Sequence, residues 1–223
     1  MIPLRDVIPS RTTPTVTIIL ITFNAIAFVY ELTLDRSELF AFVQRFGLVP
    51  ADFGWRSSLT SMFFHGGWMH ALGNMLYLWI FGDNVEDRMG HARFLLFYLL
   101  CGLAAAVAQT ASNPNSTVPV IGASGAVAGV MGAYFVLFPQ SRILTLVPFF
   151  LFMELIEVPA IFFLGIWFVM QLFTGVGSLS GGGTEGGPGS IAFWAHVAGF
   201  GAGAALVLVF RRRERQRVEW WEA

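Results

Sequence analysis

Three short stretches of the chain carry residue types that do chemistry when they meet. HGGWMHALGN holds His65, His70 and Asn74, IGASGAVAGVMG holds Ser124 between glycines, and AFWAHVAGFGAG holds His196. A hydroxyl is a poor nucleophile until a base takes its proton, and imidazole is the usual base, so Ser124 and His196 suit each other. Asn74 follows His70 by four residues and shares its helix face. Both could donate hydrogen bonds to a developing negative charge. Ser124 stands where a polar loop enters a helix, and there the free N–H groups and the helix dipole favour the same charge. No acid is placed to complete a triad. Glu154 and Glu157 precede a span on its inner side, and Asp83, Glu86 and Asp87 read as inner-loop residues. The expectation is a Ser–His dyad. A metal site from His65, His70 and His196 is the weaker reading. His65 and His70 are five apart rather than four, and no HExxH run is present.

The elements that must position these residues are membrane spans. Of 223 residues 56% are hydrophobic and only 12% charged, about half the charge of a soluble domain; the mean hydropathy is +0.68. A net charge of −1 speaks against a nucleic-acid binder, which shows a basic face. A lone Cys101 inside an apolar run excludes an intramolecular disulfide and reads as a small filler. A span needs about 20 apolar residues, and six candidates occur: Thr15 to Leu34, Phe63 to Gly82, His91 to Thr110, Val118 to Phe138, Val158 to Phe173 and Ile191 to Phe210. The expected fold is an all-α membrane protein, a bundle of six transmembrane helices over 15–210. A cytoplasmic segment, 1–14, precedes it and a basic cytoplasmic tail, 211–223, follows it.

Arginine placement orients the bundle. With both termini inside (N-in/C-in), Arg5, Arg11, Arg88, Arg93, Arg142 and the tail arginines from Arg211 to Arg217 are inside, and only Arg36, Arg45 and Arg56 are outside. The first span then reads as a signal anchor. Spans two, four and six run from outside to inside. His70, Ser124 and His196 each lie about six residues past the outer start, roughly 9 Å down at about 1.5 Å per residue. Gly125, Gly129 and Gly132 form one stripe and Gly199 and Gly203 another; such stripes let helix backbones approach in lipid.

Three other stretches have their own character. Residues 35–62 mix aromatics with charges, as an interfacial segment does. Residues 142–157, broken by Pro148, read as an extended or re-entrant inner segment. Residues 175–190 hold eight Gly and read as a mobile outer loop, either a linker or a gate. The tail arginines, with Trp220 and Trp221, suit an inner, lipid-facing anchor.

In combination, the HxxxxHxxxN of span two, the GxSG of span four and the AHxxGxxxG of span six resemble the rhomboid intramembrane serine proteases, in motif order, span assignment and spacing. The Trp55–Arg56 pair and the FGDNVEDRMG stretch containing Glu86 agree too, and the resemblance covers roughly residues 15–210. It implies that Ser124 is the nucleophile and His196 the general base and then acid. His70, Asn74 and the Ser124 N–H would form the oxyanion hole. Gly122 would keep the loop tight, and His65 would hydrogen-bond beside the site. Trp55, Arg56 and Glu86 would anchor the first loop and an inner turn. The glycine-rich loop would correspond to the family's cap, and span five to the side of substrate entry. The resemblance further implies transmembrane-protein substrates cleaved in or beside their helices, with no cofactor and no metal. One departure stands out: where some members carry a ring that stacks on the histidine, this chain has Ala128, so another group must orient His196. An arginine-only basic set points to a GC-rich bacterial genome, which puts the protein in a bacterial plasma membrane with its site opening outward. The competing class is a non-catalytic binder of membrane helices.

Overall fold

The computed structural model of the chain describes residues 2–149, 152–177 and 192–212. Helices dominate: α1 (Thr15–Glu31), α2 (Arg36–Phe46), α3 (Trp55–Thr60), α4 (Trp68–Met89), α5 (His91–Ser112), α6 (Ser124–Leu137), α7 (Ala160–Gly177) and α8 (Phe193–Phe210). The sequence reading of an all-α chain is corrected by a small antiparallel sheet of β1 (Ile2–Asp6), β2 (Arg142–Phe149) and β3 (Phe152–Pro159), in the order β1-β2-β3. The hairpin explains the inner segment expected at 142–157. Its residues are extended, and β2 pairs in register with β3 from Arg142↔Pro159 to Phe149↔Phe152. The N-terminal segment supplies the third strand, so it is part of the folded body.

The core is built around α6, whose residues from Gly125 to Tyr134 are all buried. It packs against α4, α5, α7 and α8. The fourth apolar run does not become helical at Val118. Around Pro119 the chain is non-helical, with Val120 exchanging backbone hydrogen bonds with Leu48 at 2.7 and 3.0 Å. The helix starts at Ser124 itself. α4 in turn starts at Trp68 and runs on to Met89, so His65 precedes it, and Asp83, Glu86 and Asp87 lie on the helix instead of in a loop.

Those acids bind the strand-bearing end of the bundle together. Pro14 gives α1 no capping side chain of its own. Instead the fully buried Glu86 carboxylate accepts from Val16 N at 2.9 Å and from Thr17 N and Thr17 Oγ1, both at 2.8 Å. These fill donors that a helix start leaves open. Glu86 also meets His91 Nδ1 at 2.5 Å, at the start of α5. The turn between α4 and α5 is Gly90, at φ +79, where a side chain would collide with that of Arg212. Asp87 accepts from Arg11 N and Thr12 N, and Asp83 accepts from the Ser10 hydroxyl.

Residues 35–62 form α2, α3 and two short 3-10 turns on the outside of the bundle. Asp35 and Glu38 cap α2 reciprocally: Asp35 Oδ1 accepts from Ser37 N and Glu38 N, and Glu38 Oε2 accepts from Asp35 N. No residue of α2 is buried. Helices α5 and α8 are each long and apolar enough to cross a bilayer, while α1, α6 and the apolar part of α7 are shorter. Large apolar side chains cover the outside, Phe173 at 74% and Val209 at 76% exposed among them. A chain folded for water would not leave so continuous an apolar surface. Most of the glycine-rich stretch and the tail beyond Arg212 lie outside the described residues.

Asp6 fastens β1 to the bundle through Tyr134 OH at 2.6 Å and Asn84 Nδ2 at 3.1 Å. Burial, aided by the neighbouring Asp83 carboxylate and opposed by the Tyr134 hydroxyl, pushes Asp6 up from 3.8 to about 6. The folded protein therefore holds this proton more tightly than the unfolded chain. The stability it contributes is full below about 3.8 and is lost as pH rises through about 6. The expected result is that, between those pH values, the melting temperature of wild type falls relative to that of Asp6→Asn. Parallel curves would show that Asp6 does not titrate there.

Candidate active site

The end of the bundle opposite the sheet gathers the polar residues singled out above. His70 is in the first turn of α4, Ser124 opens α6 and His196 is in the first turn of α8. All three therefore stand at helix starts, and the six residues of helical rise expected before each of them are absent.

What lets Ser124 and His196 meet is the contact between α6 and α8. A Cβ on Gly199 would collide with the carbonyl oxygen of Gly125, one on Gly203 with that of Gly129, and one on Gly132 with that of Phe200. The two glycine stripes face each other, backbone on backbone. Gly129 takes Cys101 of α5 from another side, which is where that buried thiol packs. At this separation Ser124 Oγ and His196 Nε2 are hydrogen-bonded at 2.8 Å. The other ring nitrogen, Nδ1, lies 2.8 Å from Gln171 Oε1 on α7. Trp167, one turn earlier on α7, sets its ring 5.9 Å from the imidazole at 35°. Gln109 of α5 accepts from Ala195 N at 3.4 Å, next to the histidine.

Around Ser124 the backbone is poised for negative charge. The first bonded amide of the helix is Val127 N, to Ala123 O at 2.9 Å, so the three N–H groups before it have no partner within the helix. Gly122 has φ +134 and ties its N–H to Ser61 O at 2.9 Å. A Cβ there would stand 2.6 Å from the His70 Nε2 and 3.6 Å from Ser124 Oγ. Glycine thus keeps open the space between the His70 ring and the serine. Asn74 is buried, and its Nδ2 has no hydrogen-bond partner among the described residues.

The remaining expected residues are arranged differently. His65 is buried, but among the described residues its ring nitrogens make no hydrogen bond. The ring packs edge-on against His70 at 5.1 Å, and it is the backbone N–H that bonds, to Glu31 at 3.1 and 3.2 Å. Trp55 and Arg56 are exposed, with Trp55 edge-on to Phe53 at 5.1 Å. Within the first loop Thr60 Oγ1 donates to Phe46 O at 2.6 Å and Ala51 N donates to Ser116 O at 2.9 Å. Among the described residues no three His, Cys, Asp or Glu side chains converge as metal ligands.

Gln171 and Trp167 were not among the candidates read from sequence. A glutamine inside the apolar run IWFVMQLF is the same kind of signal as an intramembrane histidine, and that signal was available.

Comparison with known proteins fits this arrangement. The rhomboid domain family matches residues 52–213. The chain is 36% identical over 99 residues to "Rhomboid protease GluP" of Bacillus subtilis, covering 44% of this chain and 19% of that protein. It is 38% identical over 76 residues to "Rhomboid-like protein 11, chloroplastic" of Arabidopsis thaliana, covering 34% and 27%. To "Rhomboid protein 1, mitochondrial" of Saccharomyces cerevisiae it is 31% identical over 112 residues, covering 48% and 32%. The matched segments thus span less than a third of each of these three relatives.

The glycine contact makes a sharp prediction on one helix. Gly203→Ala should destabilise the detergent-solubilised protein by about 1–3 kcal/mol, the usual cost of overpacking. Gly201→Ala, where nothing lies within 4 Å of the added carbon, should be neutral or stabilising by up to about 1 kcal/mol. Equal melting temperatures for the two variants would mean that α6 and α8 are not in contact at Gly203.

Proposed function

Since the chain belongs to the rhomboid family, we propose that it is an intramembrane serine endopeptidase that cleaves transmembrane proteins within or beside their helices. The rhomboid domain makes it an integral membrane protein. The observation that carries the catalytic reading is the 2.8 Å hydrogen bond between Ser124 Oγ and His196 Nε2, at the start of a helix whose first N–H groups have no partner within the helix.

In this reading His196 Nε2 takes the hydroxyl proton as Ser124 Oγ bonds to the scissile carbonyl carbon. The carbonyl oxygen becomes an oxyanion, stabilised by the Ser124 N–H and by donors on His70 and Asn74. His196 then gives the proton to the leaving nitrogen, the C–N bond breaks and an acyl-enzyme ester remains. Water, deprotonated by the same imidazole, attacks the ester. The resulting acid leaves, and the proton returns to Ser124. Peptide groups inside a substrate helix are shielded by their own hydrogen bonds, so substrates should carry Gly, Pro or small residues near the cleaved bond, where the helix opens readily.

The topology belongs to the same proposal. Six spans within residues 15–210, both termini inside, residues 1–14 and 211–223 on the cytoplasmic side of a bacterial plasma membrane, and a site opening outward follow from the arginine asymmetry. An outward cavity also gives water its route to the ester.

The test is cleavage of a model single-span substrate by purified protein, together with labelling by a fluorophosphonate probe. Ser124→Ala and His196→Ala, with melting temperatures near wild type, should each lower cleavage at least about 10³-fold, and Ser124→Ala should take no label. Cleavage persisting in both variants overturns the dyad. A folded wild type that neither cleaves nor labels would leave a protein that only binds membrane helices.

A further inference from the structure

We propose that Gln171 is the positioning residue of the dyad, taking the place that an acid holds in a triad. It accepts the Nδ1–H of His196 and so fixes the tautomer in which Nε2 is free to receive the Ser124 proton. This rests on the protease reading and deepens it.

A neutral imidazole carries one N–H, and the group bonded to one nitrogen decides what the other can do. Nε2 is 2.8 Å from the Ser124 hydroxyl and Nδ1 is 2.8 Å from Gln171 Oε1. For Nε2 to accept, Nδ1 must hold the hydrogen. The amide oxygen of Gln171 is the acceptor that makes this the preferred state. The opposite tautomer would aim an N–H at the serine hydroxyl and leave Nδ1 with a lone pair facing the amide oxygen. Neither ring nitrogen is paired with a carboxylate, and His70 on α4 is the neighbouring titratable group that acts on the ring electrostatically.

Trp167 and Gln171 are one turn apart on α7 and fall on one face. The indole sets the plane of the imidazole while the amide sets its rotation within that plane. Together they do what a ring at position 128 would do in part, and position 128 is a buried alanine. An amide differs from a carboxylate in one respect that can be measured. It orients the neutral base but lends only a dipole, and no full charge, to the imidazolium formed during attack.

Three full-length proteins in detergent micelles test this: wild type, Gln171→Leu and Gln171→Glu. Leucine keeps the bulk and removes the acceptor. It should lower kcat at least about tenfold, with KM near wild type, since a wrong tautomer costs up to about 10⁴-fold in a triad enzyme. Glutamate restores the acceptor and adds charge. It should recover cleavage and move the acid limb of the kcat/KM profile to higher pH, a change that lost packing alone would not produce. Imidazole ¹⁵N spectra of the resting wild type, which need no variant, should show His196 with its proton on Nδ1. Wild-type rates and pH profile in Gln171→Leu, or a proton on Nε2 in resting wild type, would overturn the proposal. If wild type itself neither cleaves nor labels, the protease reading fails separately, and the spectra still decide the hydrogen bond.

Discussion

Everything at the site depends on two helix backbones touching. Lipid offers no hydrophobic drive for one apolar helix to prefer another over acyl chains, so close packing must supply the attraction. The α6–α8 pair achieves it by having no Cβ where the carbonyl oxygens of Gly125 and Gly129 meet Gly199 and Gly203. That contact brings the start of α6 beside the first turn of α8, where Ser124 Oγ and His196 Nε2 lie 2.8 Å apart.

The polar groups divide between the two ends of the bundle and serve different purposes. At the sheet end three carboxylates hold the elements together. Glu86 is spent on the α1 amides and His91, Asp87 on Arg11 and Thr12 amides, Asp6 on Tyr134 and Asn84. At the other end Asn74 Nδ2 is buried with no partner among the described residues, and the first amides of α6 have none within the helix. A buried donor without a partner is costly, and the proposed chemistry gives these donors a use.

Much of this was legible in the sequence because lipid restricts what a chain can do. Long apolar runs, glycines at helical spacing and a few polar residues among them led to the helices, to their contacts and to Ser124 facing His196. The sheet was legible only in part. Pro148 marked 142–157 as an extended or re-entrant segment, but its pairing with β1, more than 130 residues away, has no signature in the sequence. The true start of α6 was hidden too: 118–123 is apolar enough to join the span, and the bridge from Val120 to Leu48 that holds it outside the helix is a contact across 72 residues. Gln171 was visible as a polar residue in an apolar run, but its meaning lay in a contact across 25 residues that the sequence does not display.

The Glu86 clamp has a mechanical side. It pins α4 at one end, and His70 lies sixteen residues away on the same helix, a lever arm of about 24 Å. Rotating α4 by about one degree around that pin carries the imidazole through roughly 0.4 Å, close to the ~0.5 Å within which a catalytic group must be held. On the reading proposed above, a carboxylate at one end of α4 thus bears on how closely His70 is held at the other end.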